Sequence, residues 1–292
     1  MSDRLSGVIA AVPTPFGPDR IVDADRFVTH ARWALDHGCD GLNVLGSTGE
    51  AASLAPDSRA ALMRHAASEL PGARMLVGTG APDLETAIRL TSLAGECGFA
   101  GALVLPPYYY SGVSDDGLFA FFDALIRETA GKSPSIYLYN FPQMTGILFS
   151  HDLVGRLKAA HPDRLVGAKD SSGDLDYAAG LAALADFDVF PSNETSLAVA
   201  PDRGFSGTIS ATVNVSAPVA AQLRRTPGDG ATLERARHIR ETISARPLVP
   251  AVKHLVGTQL GDPAWDAVLP PFVPVSAADR SALAALHAEA KG

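Results

Sequence analysis

Cysteine is nearly absent from this chain: two among 292 residues, Cys39 and Cys97. Each lies beside a glycine at the end of a predicted helix, and neither belongs to a pairing or metal-binding motif. Two buried thiols in a cytoplasmic protein is the reading that follows. The eight histidines show neither HxxxH nor HExxH spacing, so no metal site is expected. No uninterrupted apolar run of about 18 residues occurs, so no membrane span is expected. Met1–Gly7 lacks the apolar stretch of a secretory leader. Positive charge is short as well. Lys and Arg total 24 against 32 Asp and Glu, the net charge is −8 and no basic stripe is visible, so nucleic acid is not an expected partner. No GxGxxG follows the first apolar strand, which removes the commonest ligand signature of a doubly wound sheet. Lysine is the rarest charged residue, five against 19 arginines.

What the chain does have is apolar content, 47% of its residues, enough to bury a core as one domain or one and a half. Short β-rich runs alternate with amphipathic stretches. Strands are predicted at Val8–Val12, Gly41–Leu45, Met75–Gly80, Ala102–Pro106, Ser135–Asn140, Leu165–Lys169, Asp188–Pro191 and Gly207–Thr212. Most are apolar runs, as expected of a parallel sheet covered on both faces. Helical stretches follow each of them. Asp83 and Ser114 mark helix starts, Pro56 suits a first turn, and Gly38 and Gly98 suit helix ends. Eight such units predict an α/β fold, a (β/α)8 TIM barrel over 1–226. After Ala217 the β signals stop, and residues 227–292 read as a helical C-terminal extension.

In such a barrel the site lies at the C-terminal ends of the strands. Lys169 stands out there, an amine at the end of an apolar strand in a chain that otherwise uses arginine. Burial makes the cation costly and favours the neutral amine, a nucleophile that forms a Schiff base with a carbonyl. Tyr139, one strand earlier, offers a phenol able to relay protons to and from a carbinolamine. Gly46-Ser47-Thr48-Gly49-Glu50 follows the second strand. Its glycines permit a tight turn whose N–H groups, with the hydroxyls of Ser47 and Thr48, can hold a carboxylate or a phosphate. Glu50 is positioned to cap the helix that follows. Tyr108, Tyr109 and Tyr110 are adjacent and cannot all face one core, so at least one is expected at the site or at a subunit interface.

These motifs together resemble the dihydrodipicolinate synthase / N-acetylneuraminate lyase family of pyruvate-dependent class I aldolases. The resemblance rests on Gly46–Glu50, on Pro107-Tyr108-Tyr109, on Tyr139-Asn140-Phe141-Pro142 with Thr145-Gly146, and on Gly167-Ala168-Lys169. Their order spans most of the chain, from Thr14-Pro15-Phe16 to Pro250-Ala251-Val252-Lys253. It implies Lys169 as the Schiff-base lysine and Tyr139 as the proton shuttle. It implies Ser47 linking Tyr139 to a Tyr109 donated by a neighbouring subunit, and Ser47 with Thr48 holding the carboxylate of pyruvate. No cofactor is implied beyond the imine itself, and the assembly implied is a homotetramer built as a dimer of dimers.

The departures bear on substrate. Dihydrodipicolinate synthases usually carry arginine where this chain has Met144, and a thioether cannot replace a bidentate guanidinium. The expectation is therefore a lyase of a 2-keto-3-deoxy sugar acid, with Met144, Asn193, Glu194 and Ser210 lining the substrate beside Thr48 and Ser47. Ala211 aligns with the serine that neuraminate lyases place on the eighth strand, which argues against neuraminate itself. The rivals are 4-hydroxy-tetrahydrodipicolinate synthesis, a family dehydratase or hydratase, and a ligand-binding barrel without turnover. A phosphate-binding barrel lacks a basic residue near Gly46–Gly49 in sequence.

Overall fold

The computed structural model describes residues 4–132 and 134–290. The first residues of the segment read for a leader, 1–3, lie outside it. The strands are β1 Gly7–Ala11, β2 Gly41–Val44, β3 Met75–Gly78, β4 Gly101–Val104, β5 Ser135–Asn140, β6 Leu165–Asp170, β7 Asp188–Pro191 and β8 Gly207–Ser210. They form one parallel sheet in the order β7-β6-β5-β4-β3-β2-β1-β8. Between β7 and β8 the Ser206 N–H donates to Val189 O at 2.9 Å and the Thr208 hydroxyl to Pro191 O at 2.7 Å, which draws the two edges together. The result is a (β/α)8 barrel. Predicted strand ends overrun β1, β2, β3, β4 and β8 by two residues or fewer, because the sequence stays apolar or β-prone after the ladder stops. At the end of β2 the chain leaves the sheet through Leu45, whose φ is 54°.

The helices are α1 Ala24–Asp36, α2 Pro56–Glu69, α3 Leu84–Glu96, α4 Asp115–Glu128, the single turn α5 Pro142–Thr145, and α6 His151–Ala160. They continue with α7 Leu175–Ala182, the single turn α8 Ala200–Arg203, α9 Val213–Arg225, α10 Gly230–Ser244, α11 Leu248–Leu260 and α12 Ala277–Ala290. The start signals act as read: Asp83 accepts from Thr86 N at 2.7 Å and Ser114 from Gly117 N at 3.2 Å. Gly38 and Gly98 end α1 and α3 with φ of 118° and 73°. The eighth barrel helix begins at Val213 and carries Pro218 inside it. Pro218 cannot donate to the preceding turn, and the chain accommodates it by a break at Ser216, where φ is −108° and ψ is 18°. Among the described residues no helix is long and apolar enough to cross a membrane.

Strand alternation divides the core into layers. Ile9, Leu76, Leu103, Tyr137, Tyr139, Val166, Phe190 and Ile209 fill the barrel interior. Val8, Ala10, Leu42 and Val44 face outward against α1, α2 and α9, and Ala102, Ile136, Leu138 and Val189 do the same against the helices of the other half. The extension joins the first of these outer layers through Ile239, Ile243, Val252, Leu255 and the fully buried Trp265. Of the two thiols expected to be buried, Cys39 is, and burial pushes its pKa up to about 12. Cys97 is only half-buried, because it sits at the exposed end of α3.

Candidate active site

Lys169 and Tyr139 are register partners across the β5/β6 ladder, and so are Asn140 and Asp170. Alternation sends the first pair to one face and the second to the other. On the inner face, the Lys169 Nζ donates to the Tyr139 hydroxyl at 3.2 Å, and that hydroxyl lies 3.2 Å from Ser47 Oγ. Nζ also stands 4.3 Å from the centroid of the Tyr139 ring, so a positive charge on that nitrogen, ammonium or imine, meets the π-face of a neighbour. Lys169 is 4% exposed. One phenol thus connects a buried amine to a solvent-exposed hydroxyl, Ser47, at the mouth of the barrel.

On the outer face Asn140 Nδ2 donates to Asp170 Oδ1 at 2.7 Å, and Asn140 Oδ1 accepts from Phe149 N at 3.3 Å. Burial raises the Asp170 carboxyl above the usual carboxylate range, against the bonds from Asn140 and Ser172. Asp170 escaped the sequence reading, although it adjoins Lys169. Its role depends on pairing with a strand 30 residues earlier in the chain.

The Gly46–Glu50 segment forms a tight turn, with Gly49 N donating to Gly46 O at 3.0 Å and Glu50 N to Ser47 O at 3.1 Å. Thr14 Oγ1 donates to Gly49 O at 2.7 Å and ties the turn to the loop after β1. Among the described residues, no protein group accepts from the N–H of Ser47 or Thr48. Two unused donors beside two hydroxyls can seat a small anion. Glu50 is not the helix cap it was read as: its backbone is left-handed, with φ 55°, and no side-chain bond caps the following turn. Its carboxylate is fully buried, with Lys253 Nζ 2.7 Å from Oε1 and Leu269 N 2.7 Å from Oε2.

The remaining residues of the predicted site separate from this group. Tyr109 is 86% exposed, with φ 119° and its ring edge-on to Tyr110. Within one chain it does not complete the Ser47 relay. Tyr108 is half-buried, and burial raises its hydroxyl while Arg59 opposes the shift. Met144, on α5, is 73% exposed at the rim. Asn193 turns its Oδ1 back on the chain, where it accepts from Thr195 N and Thr195 Oγ1 at 3.0 and 2.9 Å. Glu194 was read as free to meet sugar hydroxyls. Instead it is buried, its two oxygens taken by Ser210 Oγ at 2.8 Å, Thr212 Oγ1 and Arg240 Nη1 at 3.0 Å. Ser210 points away from the interior, into which Ile209 projects. Arg240 comes from α10, and nothing in the sequence around it announces a contact with the loops after β7 and β8.

Comparison with known proteins gives the same outline. The profile of the Dihydrodipicolinate synthetase family matches residues 4–290. A 4-hydroxy-tetrahydrodipicolinate synthase of Xanthomonas axonopodis pv. citri is 38% identical over 213 residues, 72% of this chain and 68% of that one. The crystal structure of dihydrodipicolinate synthase from Agrobacterium tumefaciens str. C58 superposes with a TM-score of 0.89 at 34% identity, covering 96% and 99% of the two chains. YagE from E. coli K12, a member of the dihydrodipicolinic acid synthase family crystallised with pyruvate, superposes with a TM-score of 0.86 at 26% identity, covering 98% of each. Barrel and extension both fall within these matches, and they make the protein a lyase of the aldolase type. The chain belongs to the dihydrodipicolinate synthetase family.

Proposed function

We propose that the protein is a pyruvate-dependent aldolase that cleaves or forms a 2-keto-3-deoxy sugar acid through an imine on Lys169. The observation that carries this reading is the unbroken chain from Lys169 Nζ through the Tyr139 hydroxyl to Ser47 Oγ. In the cleavage direction the neutral amine attacks the keto carbon, and Tyr139 passes a proton to the carbinolamine oxygen, which leaves as water. The protonated imine then accepts the electron pair of the C3–C4 bond as the C4 hydroxyl loses its proton and an aldehyde departs. Protonation of the enamine and hydrolysis release pyruvate and restore the amine. Ser47 and Thr48 hold the carboxylate at the turn, and the chemistry calls for no further cofactor. Tyr109 reaches the Ser47 end of the relay from a neighbouring protomer of a cytoplasmic homotetramer.

A second reading, condensation of pyruvate with aspartate semialdehyde, is favoured by the name of the Xanthomonas relative. Met144 weighs against it, because a charge-assisted contact to the second carboxylate is worth about 1.5–3 kcal/mol, one to two decades in specificity. The test has two arms. Borohydride with pyruvate is expected to add one adduct, mapped by peptide mass to Lys169; an adduct at Lys253, or none, ends the mechanism. A panel of aldehydes then separates the readings: Met144→Arg is expected to improve turnover of aspartate semialdehyde. If the unmodified protein already prefers that aldehyde to every sugar-acid substrate, the sugar-acid assignment fails.

A further inference from the structure

The Glu50–Lys253 pair joins residues 203 positions apart, both with fully buried side chains. Lys253 lies on α11 of the C-terminal extension, outside the barrel, while Glu50 closes the turn that carries Ser47 and Thr48. The second carboxylate oxygen is taken by Leu269 N, again from the extension. The Lys253 Nζ also stands 4.2 Å from the centroid of the Phe16 ring, in the loop after β1. Burial pulls this ammonium below the ordinary lysine value, and the Glu50 carboxylate counteracts part of that.

A buried ion pair is a poor device for stability alone, since apolar groups of similar volume serve as well or better. What it supplies is direction. Glu50 holds a left-handed backbone, φ 55° and ψ 29°, a conformation that glycine adopts more easily. The chain places glycine at 46 and 49 of the same turn, yet a long carboxylate at 50. The side chain is therefore retained at a backbone cost, and its two oxygens are held at two points of the extension. Because Glu50 N bonds Ser47 O, fixing Glu50 fixes Ser47, whose hydroxyl meets the Tyr139 phenol.

We propose that Glu50 and Lys253 are positioning residues through which the C-terminal extension holds the Ser47–Thr48 turn at the distance from Lys169 that a keto-acid carboxylate requires. The inference rests on the imine reading given above, and it assigns the extension a part in substrate capture.

The test is borohydride trapping at varied pyruvate, read by intact mass, for the unmodified protein, Glu50→Gln, Glu50→Asp and Lys253→Met. Glutamine keeps the shape but turns an N–H toward one of two donors, and aspartate keeps the charge but is one methylene too short to reach both. Each variant is expected to raise the half-saturating pyruvate concentration about tenfold or more, the scale of one charge-assisted hydrogen bond. The labelling rate at saturation, set by Lys169 and Tyr139, is expected to stay within about threefold of the unmodified protein, because neither residue is touched. A variant that labels like the unmodified protein overturns the proposal, as does one whose saturating rate and half-saturation worsen together. Loss of cooperative thermal unfolding in all three variants also overturns it, since the pair would then serve the fold rather than the turn. Absence of any adduct in the unmodified protein refutes the imine reading itself, separately from these outcomes.

Discussion

Replacing Tyr139 by phenylalanine removes one oxygen and leaves the ring, so it isolates the relay from the packing around it. The ring keeps its place in the barrel interior and its contact with Lys169 at 4.3 Å. What disappears is the 3.2 Å bond to Nζ and the 3.2 Å bond to Ser47. The buried amine then loses its acceptor, at a stability cost of about 1–3 kcal/mol, which a domain of this size tolerates. Turnover is expected to suffer more. A positioned acid–base group contributes about 10²–10⁴-fold, or roughly 2.7–5.5 kcal/mol of barrel-mouth transition-state stabilisation. The assay is release of pyruvate from a keto-acid substrate under steady-state conditions, paired with a thermal melt. The expected result is a fall in kcat of at least about a hundredfold with a modest change in KM. A fall of less than about threefold, or one that simply tracks the loss of thermal stability, would refute the relay.

His30 is fully buried, with its Nε2 at 2.9 Å from Asn214 Oδ1, and burial lowers its pKa from 6.5 to about 4. The folded state resists protonation that the unfolded chain accepts, so stability is intact above pH about 6.5 and is lost progressively down to pH about 4, by about 3 kcal/mol from this group. Denaturant melts across that window are expected to flatten in His30→Gln, and an unchanged slope refutes the assignment. For the shared site, mixing inactive Tyr109→Phe with inactive Lys169→Ala protomers is expected to restore activity. No recovery after verified subunit exchange, or full activity in a sedimenting monomer, counts against a Tyr109 donated by a neighbour.

The barrel was legible in the sequence because its signals are local. Most strands are apolar runs of four to six residues, and α1, α3, α4, α6, α7 and α10 each begin at a side chain that accepts from an N–H two or three positions on. Lys169, Tyr139 and Ser47, which the fold brings into hydrogen-bonding distance, were legible as candidates for a related reason: each sits at a strand end or in a βα turn, where a barrel gathers its chemistry. Glu194 and Ser210 were misread because the same logic assigns every polar group at that end to the substrate, and Glu50 because a carboxylate just before a helical stretch reads as its cap. Their partners lie elsewhere. Lys253 reaches Glu50 across 203 residues, and Arg240 reaches Glu194 across 46. Neither distance leaves a periodicity or a spacing to read, and a carboxylate awaiting a sugar looks the same in sequence as one awaiting a guanidinium.

The β5/β6 ladder shows how much of the site geometry is set by backbone rather than by side chains. One register places Tyr139 opposite Lys169 and, on the reverse face, Asn140 opposite Asp170. A slip of one residue would turn each side chain to the other face: the amine would leave the barrel interior and the carboxylate would enter it. The Asn140–Asp170 bond at 2.7 Å is made only in the register that also brings Nζ to the phenol. The outer pair is buried, and Phe149 N donates to the free oxygen of Asn140. Two kinds of restraint therefore converge on the amine. The ladder and its outer pair fix where Lys169 meets Tyr139, while the extension, through Glu50, fixes where Ser47 meets Tyr139. The first is local to two strands, and the second spans the chain, because Lys253 and Leu269, the buried partners of Glu50, both belong to the extension.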